Sequence, residues 1–159
     1  PQKGASQEGV AQLEARLAAL ADELPSDPRG IPGGGAAGGL AGGLHAALGA
    51  TLEPGAPFVL TALGADARMR AARFVIVGEG QLDRTSLQGK APGELATRAR
   101  QAGVPCHAVV GRNALELFSG RILDLMEILE ASTVAELTAA GRLLGERWLA
   151  AAGSAVNGT

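Results

Sequence analysis

Apolar side chains recur as Val10, Leu13, Leu17, Leu20 and Leu24, one face of a helix that Ser6 can cap. Pro25 and Pro28 end it. Residues 30–43 then hold eight glycines, and Leu40, Leu44, Ala47 and Leu48 carry that run into a helix with a very small face. Such a face lets backbone approach backbone, or a ligand. Short helices are predicted over 54–63 and 66–72.

From residue 73 the pattern changes. Phe74-Val75-Ile76-Val77 is a continuous apolar run, as in a strand buried on both faces. A helix is predicted over 92–102, with Leu95, Ala99 and Ala102 inward and Gly103 just past its end. A second strand covers 104–110. A third covers 122–129, its apolar weight on Ile122, Leu123, Leu125, Ile128 and Leu129. Ser132 or Thr133 caps a last helix in which Leu137, Gly141, Leu144 and Trp148 recur. Strands separated by helices predict an α/β fold with a parallel sheet flanked by helices, and a subdomain boundary near 64–72.

The chemistry concentrates between the first strand and the helix after it, in the 13 residues from Gly78 to Lys90. Carboxyl ends of parallel strands, next to helix N-termini, are where α/β proteins gather substrate, metal and phosphate. Gly78 and Gly80 let the chain turn and leave N–H groups free, and Gly89 precedes the lysine. Glu79 and Asp83 are hard oxygen ligands suited to Mg²⁺, and either could instead accept a proton from a substrate hydroxyl. Lys90, two residues before Pro92, is expected beside the positive end of the helix, where phosphate is drawn to both. Thr85 and Ser86 can bond a ligand or cap that helix. The bland alternative is an ordinary polar connection.

Other motifs are weaker. The loop is no P-loop: eight residues separate Gly80 from Gly89, and Ala91 stands where Ser or Thr is needed. Residues 33–38 match G-x-G-x-x-G but follow a Pro-containing turn rather than a strand, which excludes a dinucleotide fingerprint. An anion site at Gly35, Gly38 and Gly39 and tight helix packing both stay open there. Lys3 on its own reads as a surface lysine. His45 and His107 match no zinc spacing, Cys106 reads as a small buried hydrophobe, and Trp148 as a core anchor.

Composition narrows the classes. At 47% hydrophobic with a mean hydropathy of +0.17, the chain has the apolar content of a folded domain. Aromatics are 3% and the net charge is −2, which argues against nucleic-acid binding. A single cysteine rules out an internal disulfide. No apolar run approaches bilayer length and no signal peptide is read, so no membrane partner and a reducing cytoplasm are expected. Pro1-Gln2-Lys3-Gly4 reads like the interior of a longer polypeptide.

Taken together, Pro1-Gln2-Lys3-Gly4-Ala5, Gly35-Ala36-Ala37-Gly38-Gly39-Leu40, Gly78-Glu79-Gly80-x-Leu82-Asp83, Ser86 and Gly89-Lys90-Ala91-Pro92 carry a resemblance. It continues through Ala102-Gly103-Val104-Pro105 and Ile122-Leu123-Asp124-Leu125. The chain resembles the C-terminal half or so of a bacterial glycerate kinase of the type 1 family. That resemblance implies phosphorylation of D-glycerate by ATP with Mg²⁺, giving 2-phosphoglycerate. On that reading Glu79, Asp83 and Lys90 are the expected catalytic residues, with Glu79 and Asp83 holding Mg²⁺ or receiving the glycerate hydroxyl proton. Lys3, Gly35, Gly38, Gly39, Gly78, Gly80, Ser86 and Gly89 would bind substrate or phosphate. It also implies two domains, with residues 1–70 in the C-terminal part of a second α/β domain and 71–159 in a flavodoxin-like, Rossmann-like part.

Two departures stand out. The family's N-terminal segment with its Asp-Ser-Phe-Lys-Gly motif is not in this sequence, and Gly111-Arg112-Asn113 stands where Gly-Ser is usual. The alternatives are therefore a non-catalytic, ligand-binding fragment and, third, a Mg²⁺-dependent phosphatase.

Overall fold

The computed structural model describes residues 4–87, 89–116 and 121–156. The chain forms two compact units, Pro1–Pro54 and Gly55–Thr159.

In the first unit, helix α1 (Gln7–Asp22) starts where Ser6 Oγ accepts the Gly9 N–H at 3.1 Å. Helix α2 (Leu40–Leu48) follows the glycine run, with Gly38 and Gly39 in the left-handed region that side chains resist. Gly34 and Gly42 are the close-packing pair. A Cβ on Gly42 would lie 3.0 Å from the Gly34 carbonyl oxygen, and the Gly42 N–H donates to that oxygen at 2.9 Å. The leucine stripe of α1 is less buried than its spacing predicts: Leu20 is 52% exposed. It borders a cavity of about 340 Å³ with Leu24, Ile31 and Gly34.

The second unit is α/β. Helices α3 (Gly55–Ala62) and α4 (Ala65–Ala71) lead into strand β1 (Val75–Leu82). A 3-10 turn (Arg84–Leu87), helix α5 (Ala91–Gln101), strand β2 (Cys106–Asn113), strand β3 (Leu125–Glu130) and helix α6 (Val134–Val156) complete it. Among the described residues the sheet has three parallel strands in the order β1-β2-β3. Val75, Val77, Cys106, Ala108 and Val110 turn one face toward Met69 of α4 and Ala96 and Ala99 of α5. His107 points the other way, against Trp148 of α6. Helices thus cover both faces. Among the described residues no helix is long and apolar enough to cross a membrane.

The sheet departs from the sequence reading in two ways. β1 continues through Gly78, Glu79 and Gly80 to Leu82, because an equally long β2 pairs with it, Glu79 opposite Val110 and Gln81 opposite Arg112. Gly111 permits that approach: a Cβ there would sit 2.5 Å from the Gly80 carbonyl oxygen. β1 is also not buried on both faces: Ile76 is 46% exposed, and among the described residues the strand lies at the sheet edge. Burial on both faces belongs to the central strand β2 at Cys106 and His107. At the third strand, Ile122 and Leu123 precede β3, and Asp124 between them and the strand has φ +53.

Candidate functional site

Strand period along β1 places Glu79 on the face of Val75 and Val77, the one α5 covers. Helix α5 begins directly after Lys90, which is its N-cap in an extended conformation. Pro92 therefore occupies the second helical position, and the Lys90 side chain makes no cap bond to the amides of the first turn.

Glu79 is where these elements meet. Its Oε1 receives Lys90 Nζ at 3.2 Å, and its Oε2 receives the Ser86 hydroxyl at 2.6 Å. Ser86 is fully buried and also accepts the Asp83 N–H at 3.2 Å. Its own N–H returns to the Asp83 carbonyl at 2.9 Å, which closes the turn after the strand. Asp83 sits at the surface side of this arrangement. Its Oδ1 accepts from Thr85 N–H at 2.8 Å and Thr85 Oγ1 at 2.6 Å, and its Oδ2 from Gln81 Nε2 at 3.1 Å. Bonds from the Thr85 hydroxyl and amide hold the Asp83 carboxyl below its ordinary pKa, so it is an anion at neutral pH.

The structure thus brings Glu79, Asp83, Ser86 and Lys90 together beside Gly78, Gly80 and Gly89. Gly35, Gly38 and Gly39 belong to the other compact unit. There the N–H groups of Ala36 and Gly39 go to Gly33 and Gly35 carbonyls, and those of Ala41 and Gly42 to Ala36 and Gly34. Any anion at that run would need other amides. Lys3 lies outside the described residues.

Two groups escaped the sequence reading. Gln81, the last residue but one of β1, donates its amide to Asp83 Oδ2, a contact that its residue type in an acidic, glycine-punctuated stretch does not announce. Glu130, at the carboxyl end of β3, accepts the Asn113 N–H at 2.6 Å and so joins the strand ends that border the site. A cavity of about 650 Å³ lies against Asn113, Arg121 and Asp124, and its lining does not include Glu79, Asp83 or Lys90.

Chemically, the arrangement offers two carboxylates, Glu79 and Asp83, the Lys90 ammonium and the start of helix α5 around a single strand end. The ammonium and the helix start suit an anionic group, and the carboxylates suit a cation or a donor hydroxyl. Among the described residues no group of three or more His, Cys, Asp and Glu is placed to hold a metal ion. A cation here would complete its shell with water and ligand oxygens, as Mg²⁺ does, and Asp83 fits such partial coordination. Cys106 offers no nucleophile, because burial pushes its thiol pKa up to about 11.

Comparison with known proteins gives one consistent answer. The model of the family described as "Glycerate kinase family" matches residues 1–146. Over 115 residues the chain is 43% identical to the glycerate kinase of Halalkalibacterium halodurans, covering 70% of this chain and 30% of that protein. The glycerate 2-kinase of Escherichia coli K12 is 36% identical with the same coverage. A crystal structure from Salmonella typhimurium LT2, assigned as a glycerate kinase 2, superposes with a TM-score of 0.51 at 32% identity. That likeness covers 82% of this chain and 34% of the other. The chain therefore spans about a third of the length of the curated relatives it matches.

Proposed function

Since the chain belongs to the glycerate kinase family, we propose that it supplies the strand-end acid and lysine site of an enzyme that phosphorylates D-glycerate from ATP. The observation that carries this reading is the meeting of Lys90, Glu79 and Asp83 at the start of α5. Phosphoryl transfer asks the protein mainly for positioning and charge neutralisation, and this group can offer both.

In the proposed mechanism, Lys90 and the first-turn amides of α5 draw the transferred phosphate or the glycerate carboxylate. Asp83, held anionic, would hold Mg²⁺ directly or through water. Bound there, the cation would screen the charge of the phosphates. Glu79 is engaged by Lys90 and Ser86 on its two oxygens, so it serves this state through the lysine. It becomes a proton acceptor or metal ligand only if Lys90 leaves it for phosphate. Gly78, Gly80 and Gly89 keep the surrounding backbone accessible, and Gly35, Gly38, Gly39 and Lys3 would serve a second anionic group. The 2-phosphate is the proposed product, in keeping with the name of the Escherichia coli relative. A cytoplasmic setting and small-molecule partners alone complete the reading.

The length relation favours one rival, a ligand-binding piece that performs no chemistry alone. ATP consumption dependent on D-glycerate, measured on this chain and on a form as long as its relatives, separates the readings. Turnover only in the longer form supports the rival for the isolated chain. Phosphate release without glycerate points instead to a phosphatase, and glycerate-independent behaviour in both forms sinks the kinase proposal.

A further inference from the structure

We infer that Ser86 is a positioning residue: it locks Glu79, and Glu79 in turn aims the Lys90 ammonium at the start of α5. Only the expected effect on turnover rests on the kinase reading above.

A serine hydroxyl has one proton to give. Ser86 spends it on Glu79 Oε2 at 2.6 Å and accepts the Asp83 N–H at 3.2 Å. The side chain is 0% exposed, so a ligand cannot reach it without displacing those partners. The bond to Glu79 is charge-assisted, of the short kind an O–H makes to a carboxylate. It turns Oε2 inward and leaves Oε1 facing Lys90 Nζ at 3.2 Å. A lysine on a long flexible stem gains a defined position only from such an anchor. The turn that presents Asp83 outward is thus the one that holds Glu79 inward, because Asp83 and Ser86 exchange two bonds, N–H to Oγ and N–H to carbonyl. Without the hydroxyl, the Asp83 N–H and one Glu79 oxygen lose their partner together. Glu79 can then swing toward water and take the ammonium with it.

The sequence contains two lysines, Lys3 and Lys90, which makes the test direct. Trace acetylation with acetic anhydride, read by peptide mass spectrometry, gives the labelling of Lys90 relative to Lys3. We expect Ser86→Ala to raise that ratio about threefold or more, in the same direction as Glu79→Gln, because a released ammonium loses its carboxylate partner. Ser86→Cys, which keeps the shape with a slightly larger atom and a weaker donor, should give an intermediate ratio and stands in if circular dichroism shows the alanine variant unfolded. An unchanged ratio in the folded Ser86 variants, or in Glu79→Gln, overturns the inference. In a longer form that turns over glycerate, Ser86→Ala should lower kcat about 10–100-fold and leave both KM values within about threefold. A raised KM at unchanged kcat would mean that Ser86 meets substrate, and would also overturn it. If no form turns over glycerate, the kinase reading fails while the labelling result stands on its own.

Discussion

Trp148 donates its indole N–H to Nε2 of His107 across 3.1 Å, tying the last helix to the central strand. An indole nitrogen only donates, so His107 must be neutral with its proton on Nδ1. That Nδ1 is buried and has no partner among the described residues. Phe74 stacks on Trp148 with ring centroids 5.1 Å apart and meets His107 edge-on, closing an aromatic cluster on the α6 face of the sheet. Glu127 and Arg147, paired with each other, are the charged groups felt by the ring.

The acid sensitivity of the fold follows from this pair. Burial lowers the His107 pKa below its ordinary 6.5, with Glu127 opposing and Arg147 adding to the shift. A depressed folded-state pKa contributes stability that is complete above the unfolded value. That contribution is lost as pH falls from about 6.5 toward the folded value, at most about 1.4 kcal/mol per pH unit. Urea midpoints between pH 8 and 5.5 should therefore drop for the wild type. They should stay flatter for His107→Gln, whose amide oxygen can still accept the indole proton. Parallel curves for the two proteins would dismiss the idea.

Asp83 and Lys90 carry the proposed chemistry from the surface side of the site. In a form of the protein that turns over glycerate, Asp83→Asn or Lys90→Ala should cost about 10²–10⁴ in kcat/KM. Folding, followed by circular dichroism and thermal melting, should be intact. Near-wild-type rates in both variants would remove them from the mechanism.

Gly111 and Gly80 lie against each other across β2 and β1, yet they should respond unequally to alanine. At Gly111 the new methyl would lie 2.5 Å from a backbone oxygen that cannot rotate away. Gly111→Ala should then destabilise by about 1–3 kcal/mol. The space beyond Gly80 is open for 4 Å, so Gly80→Ala should stay within about 1 kcal/mol of wild type. Urea unfolding of the two variants checks the contrast, and equal losses would refute it.

Cys106 is the single cysteine, buried in the central strand, with its thiol pKa pushed up to about 11. Ellman's reagent at pH 8 should react with it only as fast as the strand opens, and at once in denaturant. Rapid reaction of the native protein would contradict the burial.

Much of the fold was legible in local pattern. Helix starts are spelled out by short-range chemistry: Ser6 bonds Gly9, while Thr133 Oγ1 accepts the Glu136 N–H and Glu136 Oε2 answers to the Thr133 N–H. The run of apolar segments separated by helices was enough for a parallel α/β sheet, since each such crossover has few solutions. The position of Gly103 past the end of α5, at φ +69, was equally plain.

The strand ends and the roles inside the site were not. Glycine, glutamate and glutamine are poor strand formers, so 78–82 reads as loop until β2 is laid beside it and Gly111 lets the two backbones close. That pairing is non-local, 31 residues apart in register from Gly80 to Gly111 by number, and no window of sequence contains it. The same holds for Ser86: its type advertises a ligand contact, whereas its burial and two bonds point it at Glu79. Residue types and spacing named the chemical groups; which group bonds which depends on contacts that exist only once distant segments are packed together.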